Sequence, residues 1–290
     1  MENQKPISEL LEFSILNIDK PSGPTSFQVD DFVKKSLGLR KTSHFGTLDP
    51  KVTGVLPIAL NRACKLSGFF MRKDKTYVGI MKMHKDIKLE ILQKIIDENF
   101  TGKIKQIPPK RSKVKRQERE REIKKFELLE KQGKDILFLA EVEAGTYIRK
   151  LVHDLGLKIG GAHMIELRRI KAGIFLEENK EFPFINLYEF EKAVSEYKKG
   201  KEEKLKKLLI PAEEAIKKIL PEVQVKEENL KHLLTGKPLM KQDLFDEEKL
   251  PDERFAVFFD EKFIGVYEKS EKKSGEKDKD IIAKPKFVYN

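Results

Sequence analysis

Apolar and polar positions change period several times along this chain, and each change marks an element. The apolar run 13–18 reads as a strand that ends in turn formers, Asp19-Lys-Pro-Ser-Gly-Pro24. Thr25 or Ser26 supplies an N-cap, and Val29, Phe32, Val33 and Leu37 then recur at helical spacing until Gly38 stops the helix. Residues 39–54, dense in Gly, Thr, Ser, His and Asp, read as a loop. Strands are expected over 55–60, 77–83 and 136–142. Leu89, Leu92, Ile96 and Phe100 mark one face of a helix closed by Gly102. A further helix begins at Thr146, shows Ile148, Leu151, Val152 and Leu155 on one face, and ends near Gly160-Gly161. Asn186 and Glu189 have capping-box spacing ahead of Leu187, Phe190 and Val194.

Residues 197–209 are rich in Lys and Glu and are expected to be a solvated face or linker. From Pro221 the pattern shifts to short strands such as 255–259 and 263–267, followed by an almost wholly charged stretch over 268–280. Strands and helices interleave without a regular strand–helix–strand rhythm, which predicts an α+β class. The expected division is a lead-in over 1–12 that packs on the C-terminal part, a main domain over 13–210 and a small β-rich domain over 211–290.

Charge narrows the picture. Of a formal net charge of +11, a local +8 falls within 103–125, where eleven Lys or Arg stand against three Glu. Such a block suits a polyanion, and nucleic acid bound through its phosphates is the expected partner. Pro108-Pro109 within it predicts extended backbone. The lone Cys64 excludes an intramolecular disulfide or a cysteine-rich zinc site, and the five scattered histidines show no metal-binding spacing. No long apolar stretch or signal segment is seen, so a cytoplasmic protein without membrane association is expected.

Residues 43–54 present one carboxylate, Asp49, in a glycine-flanked loop. Pro50 pushes Asp49 toward extended backbone, and Gly46 and Gly54 permit sharp turns or close approach of a ligand. An Asp-Pro pair in a loop commonly does no more than start a turn. Arg149 is also unusual: a cation in the first helical turn opposes the helix dipole at a cost of about 0.3–1 kcal/mol.

The run His44-Phe-Gly-Thr-Leu-Asp-Pro-Lys-Val-Thr-Gly54 is similar to the signature of the TruB/dyskerin pseudouridine synthases. Four more segments resemble that family's motifs in its order: Lys20-Pro-Ser-Gly-Pro-Thr-Ser26, Lys75-Thr-Tyr77, Gly145-Thr-Tyr-Ile-Arg149 and Gly161-Ala-His-Met-Ile-Glu-Leu-Arg-Arg169. The resemblance spans roughly 15–175. It implies a central, mostly antiparallel sheet flanked by helices, and an enzyme that isomerises uridine to pseudouridine in RNA.

On that resemblance Asp49 is the nucleophile, attacking the flipped uracil or its ribose. Tyr77 stacks on the target base and takes a ribose proton, and Arg149 pairs with Asp49. His44 and Thr47 contact RNA beside the flipped nucleotide, Leu167 walls the base pocket, and Lys20 supports the active-site loops. Lys110, Arg111, Lys113, Lys115 and Arg116 are the candidate phosphate contacts. The isomerisation involves no net redox change, so neither cofactor nor metal is expected. Phe45 stands where relatives carry a smaller residue, and a phenyl ring there is expected to add a stacking surface or narrow the pocket.

Pro108-Pro-Lys-Arg-Ser-Lys-Val-Lys-Arg116 and the compact interval from Tyr77 to Arg149 resemble the archaeal and eukaryotic dyskerin branch. That branch implies an H/ACA guide RNA and H/ACA accessory proteins as partners, acting on rRNA or tRNA. Stand-alone action on the tRNA T-loop uridine is the other option. Leu233-Leu-Thr-Gly-Lys-Pro-Leu-Met240 resembles the opening of a PUA domain, but Lys241-Gln-Asp-Leu-Phe245 replaces the proline-glycine that usually follows. The competing reading is a catalytically silent RNA-binding scaffold; retention of Asp49, Tyr77 and Arg149 favours the enzyme.

Overall fold

Strand β1 (Ser14–Lys20) is buried along nearly its whole length, and the main sheet grows outward from it. The computed structural model describes residues 5–109, 114–179, 181–245, 250–270 and 281–290. Ahead of β1, residues of the polar lead-in form a short helix, α1 (Ile7–Glu12), because Ile7 and Leu10 find buried positions. Helix α2 (Ser26–Leu37) starts at Thr25 with a reciprocal capping box to Gln28 and ends at Gly38, which adopts the left-handed conformation. The stretch 39–54 is not all loop. Within it β2 (Thr42–His44) pairs with β3 (Thr53–Leu60), which leaves 45–52 as the connecting loop.

Along the chain come α3 (Ser67–Met71), β4 (Lys75–Met83), α4 (Leu89–Asn99), β5 (Gly102–Gln106), β6 (Arg119–Gln132) and β7 (Asp135–Val142). Helix α5 (Ile148–Ile159) buries Ile148, Leu151, Val152, Leu155 and Ile159, and stops at Gly160. The next segment, β8 (Ala162–Ala172), is a strand that the hydrophobic pattern does not announce. After it lie β9 (Phe175–Leu176), β10 (Phe184–Asn186) and α6 (Leu187–Tyr197), the last opened by the Asn186–Glu189 capping box. The Lys/Glu-rich stretch is no simple linker: α7 (Glu203–Leu208) buries Leu205. β11 (Ile210–Pro211) and α8 (Ala212–Lys217) complete this part.

The main sheet runs β10-β1-β3-β8-β4-β7-β6-β5, with β11, β2 and β9 paired at β1, β3 and β8. Among the described residues its pairs are antiparallel except β1 with β10 and β3 with β8. A second sheet uses β12 (Glu222–Gln224), β13 (Leu239–Met240), β14 (Arg254–Phe259), β15 (Lys262–Lys269) and β16 (Ile281–Val288), in the order β12-β14-β15-β16-β13. This is an α+β molecule with a β-rich C-terminal part.

None of the described residues ahead of Phe13 adds a strand to the second sheet. The link is aromatic instead: Phe13 lies 5.5 Å from the Phe263 ring and 4.2 Å from Tyr289, both stacked. One apolar cluster runs from Ile15 and Val55 of the main sheet to Phe258 and Val266 of the second. Among the described residues no helix is long and apolar enough to cross a membrane.

Candidate active site

The loop 45–52 is fixed by buried polar groups beneath it. Lys20, at the end of β1, is fully buried, and its amine donates to the carbonyls of Pro21 (2.8 Å), Pro50 (2.9 Å) and Val52 (2.9 Å). Burial lowers the Lys20 pKa, and the nearby Asp49 charge opposes that shift. The Ser26 hydroxyl accepts from the Leu48 N–H (2.8 Å) and donates to the Leu48 carbonyl (2.9 Å), pinning the residue before Asp49 to the first turn of α2.

Arg169 is the deepest of these supports. Its Nε donates to the Val55 carbonyl at 2.8 Å and its Nη2 to the Gly46 carbonyl at 3.0 Å. Burial pushes this guanidinium's pKa down, while the neighbouring Tyr77 side chain acts in the opposite direction. One residue thus holds the loop from the position opposite Tyr77 in the β4–β8 ladder. Gly54 (φ +99°) is required beside it, because a Cβ there would sit 2.2 Å from the Arg169 carbonyl. An irregularity in the β4–β8 ladder falls between Thr76↔Lys171 and Tyr77↔Arg169, leaving Ile170 as the extra residue and re-aiming the strand at the tyrosine.

Above this floor the two central charges meet. Arg149, second residue of α5, donates from Nη2 to Oδ2 of Asp49. Both remain open, with side chains 59% and 50% exposed, so a ligand can reach the carboxylate without displacing protein. The start of α5 is held by Gln106, a buried residue ending β5. It accepts from the Tyr147 N–H at 3.1 Å and donates to the Tyr147 carbonyl at 3.4 Å.

The other expected positions fall into three groups. His44 and Thr47 are together on the rim, with His44 Nε2 3.3 Å from Thr47 Oγ1. Tyr77 and Leu167 are mostly buried in the main core, Leu167 lying opposite Gly79 in the β4–β8 ladder. Lys20 is sealed beneath the loop, so it supports the loop and does not itself face RNA. Lys115 and Arg116 are exposed, whereas Lys110, Arg111 and Lys113 lie outside the described residues. Phe45 corrects the expectation of a ring in the pocket. It is buried against Phe70 (4.9 Å, nearly coplanar) and Phe175 (6.0 Å), within the apolar cluster shared with the second sheet. Among the described residues no three His, Cys, Asp or Glu side chains converge as a metal site would require.

Sequence reasoning assigned no role to Gln106 or Arg169, and offered Ser26 only as an alternative helix cap, a place that Thr25 takes. Adjacent arginines in β8 were the available signal, since neighbouring strand residues face opposite ways. Arg168 turns to Asp19 and Glu177, with bonds of 2.7–3.1 Å that raise its pKa, while Arg169 turns inward.

Residues 34–148 match the N-terminal domain of the TruB family pseudouridylate synthases, and 149–217 match the C-terminal domain of tRNA pseudouridylate synthase B. A curated relative from Methanopyrus kandleri, described as a probable tRNA pseudouridine synthase B, is 41% identical over 259 residues, covering 88% of this chain and 75% of its own length. The chain belongs to the TruB family. Its relative from Nanoarchaeum equitans, with the same description, is 45% identical over 215 residues, 73% of this chain but only 60% of the relative. Across nearly its whole length the chain is similar to solved structures. One, of a Cbf5-Nop10-Gar1 complex, matches with TM-score 0.85 and 36% identity over 97% of this chain and 86% of that one. Another, of an H/ACA ribonucleoprotein bound to a substrate RNA, gives TM-score 0.84 and 33% identity over 99% and 88%. The two TruB domains end at 217, before the second sheet, whereas the structural likenesses extend through it.

Proposed function

We propose that this chain converts uridine to pseudouridine in RNA, with Asp49 as nucleophile. The observation that carries this reading is a half-exposed carboxylate, held by Arg149 on a loop whose underside is locked by Lys20, Ser26 and Arg169. A carboxylate so placed meets a ligand already aimed, with little reorganisation left to do at the moment of reaction. The target nucleotide leaves its stack to reach Asp49, at a cost of a few kcal/mol met by protein–RNA contacts. Tyr77 and Leu167 then bound the base. The N1–C1′ bond is exchanged for a C5–C1′ bond, one proton leaves C5 and one arrives at N1, and nothing is oxidised.

The relatives described as tRNA pseudouridine synthases support a tRNA substrate. Likeness over nearly the whole chain to H/ACA ribonucleoprotein structures supports a second mode, in which a guide RNA and accessory proteins present other uridines, the C-terminal sheet serving as a PUA-like docking site. Unmodified tRNA transcript, offered with and without a guide RNA and accessory proteins, separates the two. In whichever mode is active, Asp49→Asn is expected to bind RNA within a few-fold of wild type and to form no pseudouridine. Product at the wild-type level would overturn the assignment.

A further inference from the structure

Asp30 lies outside all five segments that resemble the family, yet it is the one buried carboxylate facing the active-site loop among the described residues. It sits one helical turn beyond Ser26 on the same face of α2, and that face looks onto β2 and the loop. The residue is 8% exposed and flanked in sequence by the buried Val29. Its backbone carbonyl accepts from Thr42 Oγ1 at 3.4 Å. Of its carboxylate oxygens, Oδ2 stands 3.5 Å from His44 Nδ1, and Oδ1 is buried without a hydrogen-bond partner among the described residues. The opposite ring nitrogen, Nε2, lies 3.3 Å from Thr47 Oγ1, two residues ahead of Asp49. The His44 side chain is 19% exposed, so it links a buried acid to the surface.

For packing alone, an apolar residue suits this position better than a half-satisfied carboxylate, because a buried charge is unfavourable unless something nearby is complementary to it. The complementary group here is an imidazole edge. A carboxylate opposite Nδ1 favours the hydrogen on that nitrogen, sets the ring's rotation, and turns Nε2 outward in a defined state. We infer that Asp30 is a positioning residue for the proposed reaction: through its contact with His44 Nδ1 it holds the ring so that Nε2 and Thr47 Oγ1 together face the RNA strand entering beside Asp49. This rests on the synthase reading above and adds a residue to it. Asp30 touches no RNA itself; its influence passes through His44.

A double-mutant cycle tests the inference with the full chain and the RNA on which wild type is active. Asp30→Leu is expected to fold with unchanged or raised Tm and to lose about tenfold in kcat/KM, the scale of a misaligned contact. Combined with His44→Ala it is expected to cost no more than His44→Ala alone, because both changes remove one contact. In the RNA-free protein, ¹⁵N NMR of the His44 ring should show the hydrogen on Nδ1 in wild type and a changed tautomer balance in Asp30→Leu. Should the leucine variant fail to fold, Asp30→Asn replaces it: its amide oxygen still accepts from Nδ1–H, so an intermediate loss is expected, again absent on the His44→Ala background. Unchanged kcat/KM, a loss additive with His44→Ala, or an unchanged ring spectrum would each overturn the inference. Failure of the synthase reading looks different, since wild type would then give no pseudouridine while the ring spectra still report on Asp30 and His44.

Discussion

Two further cations join Lys20 in the buried space under the loop. Arg169 is one, and Lys75 is the other, its amine donating to the Met71 carbonyl at 2.6 Å and to the Lys73 carbonyl. Burial first, and the neighbouring Arg169 charge second, lower the Lys75 pKa from 10.5 to about 8. In the unfolded chain the amine returns to its ordinary value near 10.4. Between about pH 8 and that value the unfolded state holds a proton that the folded state has released, so stability rises with pH across this window. Below pH 8 the full cost is present, roughly 3 kcal/mol. Urea unfolding of wild type and Lys75→Met at pH 7 and pH 10 checks this. Wild type is expected to gain roughly 2–3 kcal/mol on the variant between the two pH values. A constant difference would show that Lys75 keeps its proton in the folded protein.

At the scale of elements, the placement of Arg149 depends on the first turn of α5, and that turn depends on a residue of another element. Gln106 ends β5, is buried, and closes on both polar groups of Tyr147, two residues before Arg149. Removing it leaves the Tyr147 N–H and carbonyl to find other partners at the helix start. Gln106→Ala is therefore expected to lower stability by about 1–2 kcal/mol and the single-turnover rate by about tenfold, since Arg149 loses its aim. Thermal melts and single-turnover pseudouridine formation measure the two effects. A stability loss with an unchanged rate would confine Gln106 to a structural role. This coupling was not legible in the sequence, because Gln106 and Tyr147 are 41 positions apart and Gln106 belongs to no motif. The amphipathic elements were legible: α2 and α5 show their apolar faces and glycine stops, and the Asn186 capping box forms as spaced. β8 was not, since its interior positions include Arg169, which is buried only because carbonyls more than a hundred positions away receive it. Asp49 and Arg149, which the structure brings together, were singled out through motifs. Their supports, Ser26, Asp30 and Arg169, act through contacts between distant segments that periodicity does not encode.

For the whole molecule the decisive quantity is where charge stays uncompensated. The basic stretch opens from the β5–β6 pair, where Lys103 meets Glu120 at 3.1 Å and Lys105 meets Glu118 at 3.2 Å. Those two cations are partly neutralised within the protein and are exposed, so their pairs contribute little to stability. Lys115 and Arg116 are exposed beyond the ladder and make no ion pair among the described residues. They are free to displace counterions from an RNA backbone, and the affinity they supply should carry the salt dependence. Each phosphate contact to a single strand contributes a slope of about −0.7 in log K against log salt. Lys115→Ala with Arg116→Ala is therefore expected to weaken binding at low salt and to flatten that slope by about 1.4. Lys103→Ala with Lys105→Ala is expected to flatten it by less than half as much, because freeing Glu118 and Glu120 adds repulsion without removing two open cations. Filter binding of the RNA across a salt series, using Asp49→Asn protein so that no product accumulates, measures both slopes. Equal slopes in wild type and the Lys115/Arg116 variant would place the phosphate contacts elsewhere on the surface.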